Sequence, residues 1–178
     1  MKREDLEHIL RAASKIAGDP DVVVLGSQAI LGSYHEADLP DAAFASQEAD
    51  LAFWNDPGDT KSTTVDGAIG VDSRFHTSFG TYVDGVSLEH TATLPSGWRD
   101  RLVRFETEAT EGARGWCLEP HDLALAKLVA WRDKDRAFVR ALIDAGLLSC
   151  AILIERAETL DTSPVNRRRI LRWIALFS

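Results

Sequence analysis

What this sequence has little of narrows the field first. It holds two cysteines, Cys117 and Cys150, with no Cys-x-x-Cys and no Cys/His ligand spacing. Neither a disulfide framework nor a zinc site is expected, and both thiols are read as buried. No apolar run approaches the roughly eighteen residues of a membrane span, and Met1 to Gly18 reads as a charged amphipathic helix rather than a signal peptide. A cytoplasmic protein without a membrane partner is the expectation. A Walker-type glycine pattern and a Ser/His/Asp signature are both missing. Positive charge is scarce as well: 20 Lys and Arg against 28 Asp and Glu leave a net charge of −8. That balance argues against nucleic-acid binding by the whole surface and leaves room only for a local basic patch.

What is present suits one globular unit: 178 residues, 45% of them hydrophobic, are enough for a core. The informative stretch is 21–54. Asp21 to Leu25 is a β-branched apolar run that predicts a buried strand; Gly26-Ser27 ends it, and Gln28-Ala29-Ile30-Leu31 is helix-compatible. A strand that enters a helix through Gly-Ser leaves free N–H groups at the positive end of the helix dipole, where phosphate binds. A second strand over 47–54 puts Glu48 and Asp50 on one face with Ala52, about 7 Å apart, and turns Ala49, Leu51 and Phe53 inward. Paired carboxylates at that spacing suit Mg²⁺ or Mn²⁺. A phosphate cradle and a carboxylate pair are the parts that phosphoryl or nucleotidyl transfer requires. The bland reading is an ordinary turn beside a solvated strand face.

Elsewhere, Leu6, Ile9, Leu10, Ala13, Ile16 and Ala17 predict a covering helix over 3–17, stopped by Gly18-Asp19-Pro20. A short helix is expected over 64–69 and a third strand over 78–86, bulged at Gly80 or Gly85. Residues 101–106 and 114–118 alternate as a hairpin would. Glu119-Pro120 opens a helix in which Lys127 stands among apolar residues, either snorkelling to solvent or touching phosphate. A continuous helix would bring Lys134 rather than Asp135 onto the Lys127 face, so Asp135 turns inward only if the chain breaks around 132–135. Otherwise Arg132, Asp133, Asp135 and Arg136 make a solvent face. The last helix is capped by Ser163 and carries Arg167, Arg168, Arg169 and Arg172, the one dense basic cluster and the first place to look for an RNA contact. Among the histidines, His76 is the best site candidate, while His35, His90 and His121 read as surface or capping residues.

The segments GSQAILGS (26–33), SQEADL (46–51), 66–86, 91–103 and 117–148 together resemble a bacterial branch of the minimal nucleotidyltransferase superfamily related to the AbiEii-type toxins. The resemblance implies an α/β (α+β) fold, a mixed sheet flanked by helices over 1–118, with a helical C-terminal subdomain over 119–178. It implies transfer of a nucleoside monophosphate from a nucleoside triphosphate to an RNA (tRNA) or protein acceptor, and a toxin-like role with an antitoxin partner. Glu48 and Asp50 would hold the metal, Gly26, Ser27 and Lys127 the phosphates, and Asp135 would position Lys127 or the nucleoside. The family uses a third carboxylate from a further strand, for which Asp84 and Glu89 are both candidates. Two rivals stand beside this reading: a noncatalytic nucleotide-binding or regulatory partner with the same fold, and an enzyme that modifies a small molecule.

Overall fold

The computed structural model describes residues 1–178, apart from the side chain of Phe44. Helix α1 (Arg3–Ala17) follows the apolar spacing of its sequence, buries Leu6, Ile9, Leu10 and Ala13, and ends on Gly18 in the left-handed region. Strand β1 (Asp21–Val24) is followed by a 3₁₀ turn over Ser27–Gly32, tighter than the α-helix expected there. A short helix, α2 (Asp41–Phe44), leads into β2 (Glu48–Phe53). Helix α3 (Thr60–Ile69) starts earlier than the expected 64, because Asp56 accepts hydrogen bonds from the Lys61 and Ser62 N–H groups and extends the first turn.

The strand expected over 78–86 is shorter, because its first two residues, Ser78 and Phe79, belong to a helix that begins before it. Residues Arg74–Phe79 form helix α4, capped by Ser73, whose hydroxyl accepts the His76 N–H, and only Tyr82–Gly85 forms strand β3. Phe75 and Phe79, one helical turn apart with ring centroids 4.8 Å from each other, both pack against His8 of α1; in a strand they would stand about 13 Å apart. Gly80, at φ 71°, ends this helix rather than bulging a strand. The expected hairpin is present as β4 (Val103–Phe105) and β5 (Arg114–Cys117).

These strands form one five-stranded mixed sheet, ordered β3-β2-β1-β5-β4, flanked by helices. β1 runs antiparallel to β2 and parallel to β5, and β2 runs parallel to β3, with Asp50 opposite Asp84. Gly115 lets α1 settle on the sheet: a Cβ there would lie 2.8 Å from a Leu10 methyl.

The remaining residues are helical: α5 (Pro120–Ala130), α6 (Asp133–Asp144), α7 (Cys150–Ala157) and α8 (Pro164–Ile174). One buried apolar cluster runs from Met1 through the sheet to Ile174, so the helices of 119–178 share the core of the sheet. Cys117 is fully buried. No helix is long and apolar enough to cross a membrane.

Candidate active site

The register of two strands assembles the acidic wall. Glu48 and Asp50 share a face of β2 by strand alternation, and the parallel pairing sets Asp84 of β3 directly across from Asp50. Glu48, Asp50 and Asp84 each offer one carboxylate oxygen within 4.8 Å of the others. Glu89 stands outside this group, exposed in the segment after β3. The Tyr82 hydroxyl donates to Glu48 Oε2 at 3.0 Å, and the His76 ring packs against Tyr82 with centroids 4.6 Å apart. His76 therefore sits behind the wall rather than on it.

Like charge and burial have a measurable consequence here. Burial first, then the Glu48 and Asp84 charges, push the Asp50 carboxyl up to about 6, with Lys127 acting in the opposite direction. Asp84, although exposed, is raised by partial desolvation and by the Glu48 and Asp66 charges. Among the described residues, no cation forms an ion pair with any of the three. Three hard oxygen donors so close together fit a small divalent cation such as Mg²⁺ or Mn²⁺, which would relieve their repulsion.

Gly26 closes the floor of the site, and its lack of a side chain has a direct cause. A Cβ at position 26 would lie 1.4 Å from Asp50 Oδ2, so only glycine allows the carboxylate to reach this position. The backbone ties the same elements together, because the Leu25 N–H donates to the Asp50 carbonyl. Ser27 follows at the start of the 3₁₀ turn, where the first N–H groups have no partner within the turn.

The opposite wall comes from the break between two helices. Helix α5 ends at Ala130, Trp131 takes a left-handed conformation at φ 60°, and α6 begins at Asp133. That reversal turns Asp135 inward to full burial, where it accepts hydrogen bonds from Arg132 Nε at 2.6 Å and Lys127 Nζ at 3.5 Å. Burial pushes the Asp135 carboxyl up, but Arg132 and Lys127 outweigh it and hold it below the usual carboxylate range. Burial lowers the Lys127 ammonium, against the pull of Asp135 and Asp50, and its nitrogen lies 4.6 Å from the centroid of the Phe138 ring. The solvent-face alternative applies to Asp133 and Arg136, which pair with each other at the surface, but not to Asp135.

Between the walls lies a cleft of about 510 Å³ lined by Gly26, Ser27, Glu48, Asp50, Asp84, Lys127 and Asp135. Sequence reasoning did not single out several other lining residues: Arg132 and Lys134 on the cationic side, Ser46 near the acids, and His90 to Thr93 at the edge. His90 is exposed, as expected of a surface residue, and stands at the edge of the cleft. Arg132 carried one usable signal, its place immediately before the break on which the inward turn of Asp135 depended.

Carboxylates facing cations across a Gly-Ser turn, on a mixed sheet of this kind, define a class, the nucleotidyltransferase superfamily. Within it, the chain belongs to the family described as "Nucleotidyltransferase of unknown function (DUF6036)", whose model matches residues 4–173. Neither a search of curated proteins nor one of solved structures finds a match to the chain.

Proposed function

We propose that the cleft transfers a nucleoside monophosphate from a nucleoside triphosphate to an acceptor hydroxyl, with Glu48, Asp50 and Asp84 holding Mg²⁺ or Mn²⁺. The observation that carries this reading is the convergence of the three carboxylates within 4.8 Å on one wall, facing Lys127 and Arg132 on the other. A bound divalent ion supplies charge neutralisation of the triphosphate and a lower pKa for the acceptor hydroxyl.

The chain's own groups do the rest. Ser27 and the N–H groups at the 3₁₀ start receive the β and γ phosphates, while Lys127 adds a point charge and Arg132 a planar fork. Asp135 fixes both cations, since it bonds Lys127 and Arg132 at once. The acceptor oxygen bonds to the α-phosphorus as the bond from that phosphorus to the bridging oxygen breaks. Pyrophosphate leaves with the electron pair, and the hydroxyl proton passes to Asp84, the solvent-exposed carboxylate set across from Asp50.

The rival reading is a noncatalytic nucleotide-binding or regulatory protein of the same fold; Asp84 beside Asp50 offers the third acid that transfer calls for and so favours turnover. The toxin-like role and the antitoxin partner rest on the resemblance to AbiEii-type proteins alone; growth arrest on expression of the wild type but not of Asp50→Ala is the expected sign. The direct test incubates wild type and Asp50→Ala with each α-labelled nucleoside triphosphate, Mg²⁺ and bacterial RNA or lysate. A labelled RNA or protein band that vanishes with Asp50→Ala is expected; absence of both label and pyrophosphate under every nucleotide would overturn the proposal.

A further inference from the structure

Helix α8 carries more positive charge than the fold uses. Its sequence, PVNRRRILRWI, contains four arginines and no carboxylate, in a chain of net charge −8. Arg167 donates to the Leu160 carbonyl, but Arg168, Arg169 and Arg172 make no hydrogen bond or ion pair among the described residues. Arg168 and Arg172 are four apart and exposed, a like-charge spacing that costs helix stability. The acids of α6 are already engaged, Asp133 with Arg136, Asp144 with Arg140, and buried Asp135 with Arg132 and Lys127, while Glu155 of α7, the helix packed on α8, and Glu158 and Asp161 after it are exposed and form no ion pair with the arginines of α8.

Aromatic rings lie between Arg169 of α8 and two arginines of α6. The Arg169 guanidinium lies 4.0 Å from the centroid of the Trp131 ring, and that of Arg136 lies 5.2 Å from the same ring. Trp131 meets Trp173 edge-on at 6.5 Å, Trp173 meets Phe177 at 4.7 Å, and Arg140 stands 5.6 Å from Phe177. All three rings remain half-buried. Trp131 directly precedes Arg132, which lines the cleft together with Lys134, so the ridge begins at the cleft wall.

We propose that this ridge binds single-stranded RNA and that the RNA presents the acceptor hydroxyl to the cleft. The second half of that statement rests on the nucleotidyl-transfer reading; the first half does not. Guanidinium forks pair with phosphate, and unpaired bases stack on aromatic and guanidinium planes. A duplex would keep its bases out of reach of the rings, and a folded acidic protein would engage the arginines alone. Unpaired loops and ends are the form in which RNA is recognised by such surfaces.

The test is fluorescence anisotropy with a labelled single-stranded RNA of about twenty nucleotides, without nucleotide or divalent ion. It compares wild type with the double variants Arg168→Glu/Arg172→Glu and Arg168→Gln/Arg172→Gln. Wild type is expected to bind with an affinity that falls as salt rises. Charge reversal should weaken binding at least about tenfold, the glutamine pair less, and the salt slope should drop by about two. Melting curves matching wild type would show that both variants fold, as expected for exposed positions. The proposal is overturned if wild type does not bind, if reversal changes affinity less than about twofold, or if DNA or duplex RNA binds as tightly. Because no transfer is required, RNA binding without any label transfer would sink the transferase reading and leave the ridge standing. Transfer to a protein or small molecule without RNA binding would do the reverse.

Discussion

Two groups of acids lie on opposite sides of the β5–α5 junction in sequence, and they are treated in opposite ways. Glu119 and Asp122, at the start of α5, are met by two arginines. Arg101 donates through Nε and Nη2 to Asp122 at 2.8 and 3.2 Å, and Arg156 bridges Asp122 at 2.9 Å and Glu119. Ser149 donates its N–H to His121 Nε2, which leaves the His121 Nδ1 proton to bond Glu119 Oε1 at 2.7 Å. Burial raises the Glu119 carboxyl, but His121 and Arg156 outweigh it and lower it to about 2. Glu48, Asp50 and Asp84 have no matching cation, and Asp50 is driven up to about 6. The fold supplies counter-charges to Glu119 and Asp122 and withholds them from Glu48, Asp50 and Asp84, whose like charges oppose one another.

The largest effect should come from breaking the unmatched group. Asp50→Asn is expected to lower transfer by about a thousandfold. In chelator the same change should raise stability by about 1–2 kcal/mol, because it removes a charge that burial and its neighbours oppose. Activity assays and thermal melts would read these opposite signs; loss of stability in chelator would argue that the carboxylate is structural.

Breaking the matched group should do the reverse. Asp122→Asn leaves Arg101 and Arg156 without their shared partner and should cost about 3 kcal/mol in denaturant unfolding. Neutral stability there would mean that the arginines find other partners.

A smaller effect follows from pH. Glu119 is depressed in the folded chain from its ordinary 4.5 to about 2, so its contribution is fully present above pH 4.5 and lost as pH falls toward 2. Glu119→Gln should flatten that part of the acid-unfolding curve, a change readable by circular dichroism. A curve parallel to wild type between those pH values would exclude Glu119 as a source of acid sensitivity.

The smallest change expected is from Tyr82→Phe, which removes the hydroxyl that orients Glu48. It should weaken divalent-ion dependence of transfer by about tenfold while leaving the fold intact. An unchanged metal titration would show that Glu48 holds its orientation without the hydrogen bond.

The unmatched half of this contrast was legible in the sequence, for local reasons, while the pairing of Glu119 and Asp122 with Arg101 and Arg156 joins residues far apart in the chain. Strand alternation placed Glu48 with Asp50, and helical spacing showed that Asp135 reaches Lys127 only across a break. Asp84 could not be separated from Glu89, because the choice depends on β2–β3 register, a pairing across more than thirty residues. Helix α4 was not foreseen, and its last two residues were assigned to the strand, although Ser73, the Phe75/Phe79 spacing and Gly80 give it a cap, a face and a stop; Phe79 and Gly80 look equally strand-like. The reason for Gly26 was also hidden, since only the structure shows the Asp50 carboxylate occupying the space of its side chain.

The most direct measurement is Mn²⁺ binding followed by electron paramagnetic resonance of the free ion, for wild type, Asp50→Asn and Glu119→Gln. Wild type and Glu119→Gln should remove the ion from solution equally, and Asp50→Asn should remove much less. Equal binding by all three proteins would contradict the assignment of the unmatched carboxylates as the metal site.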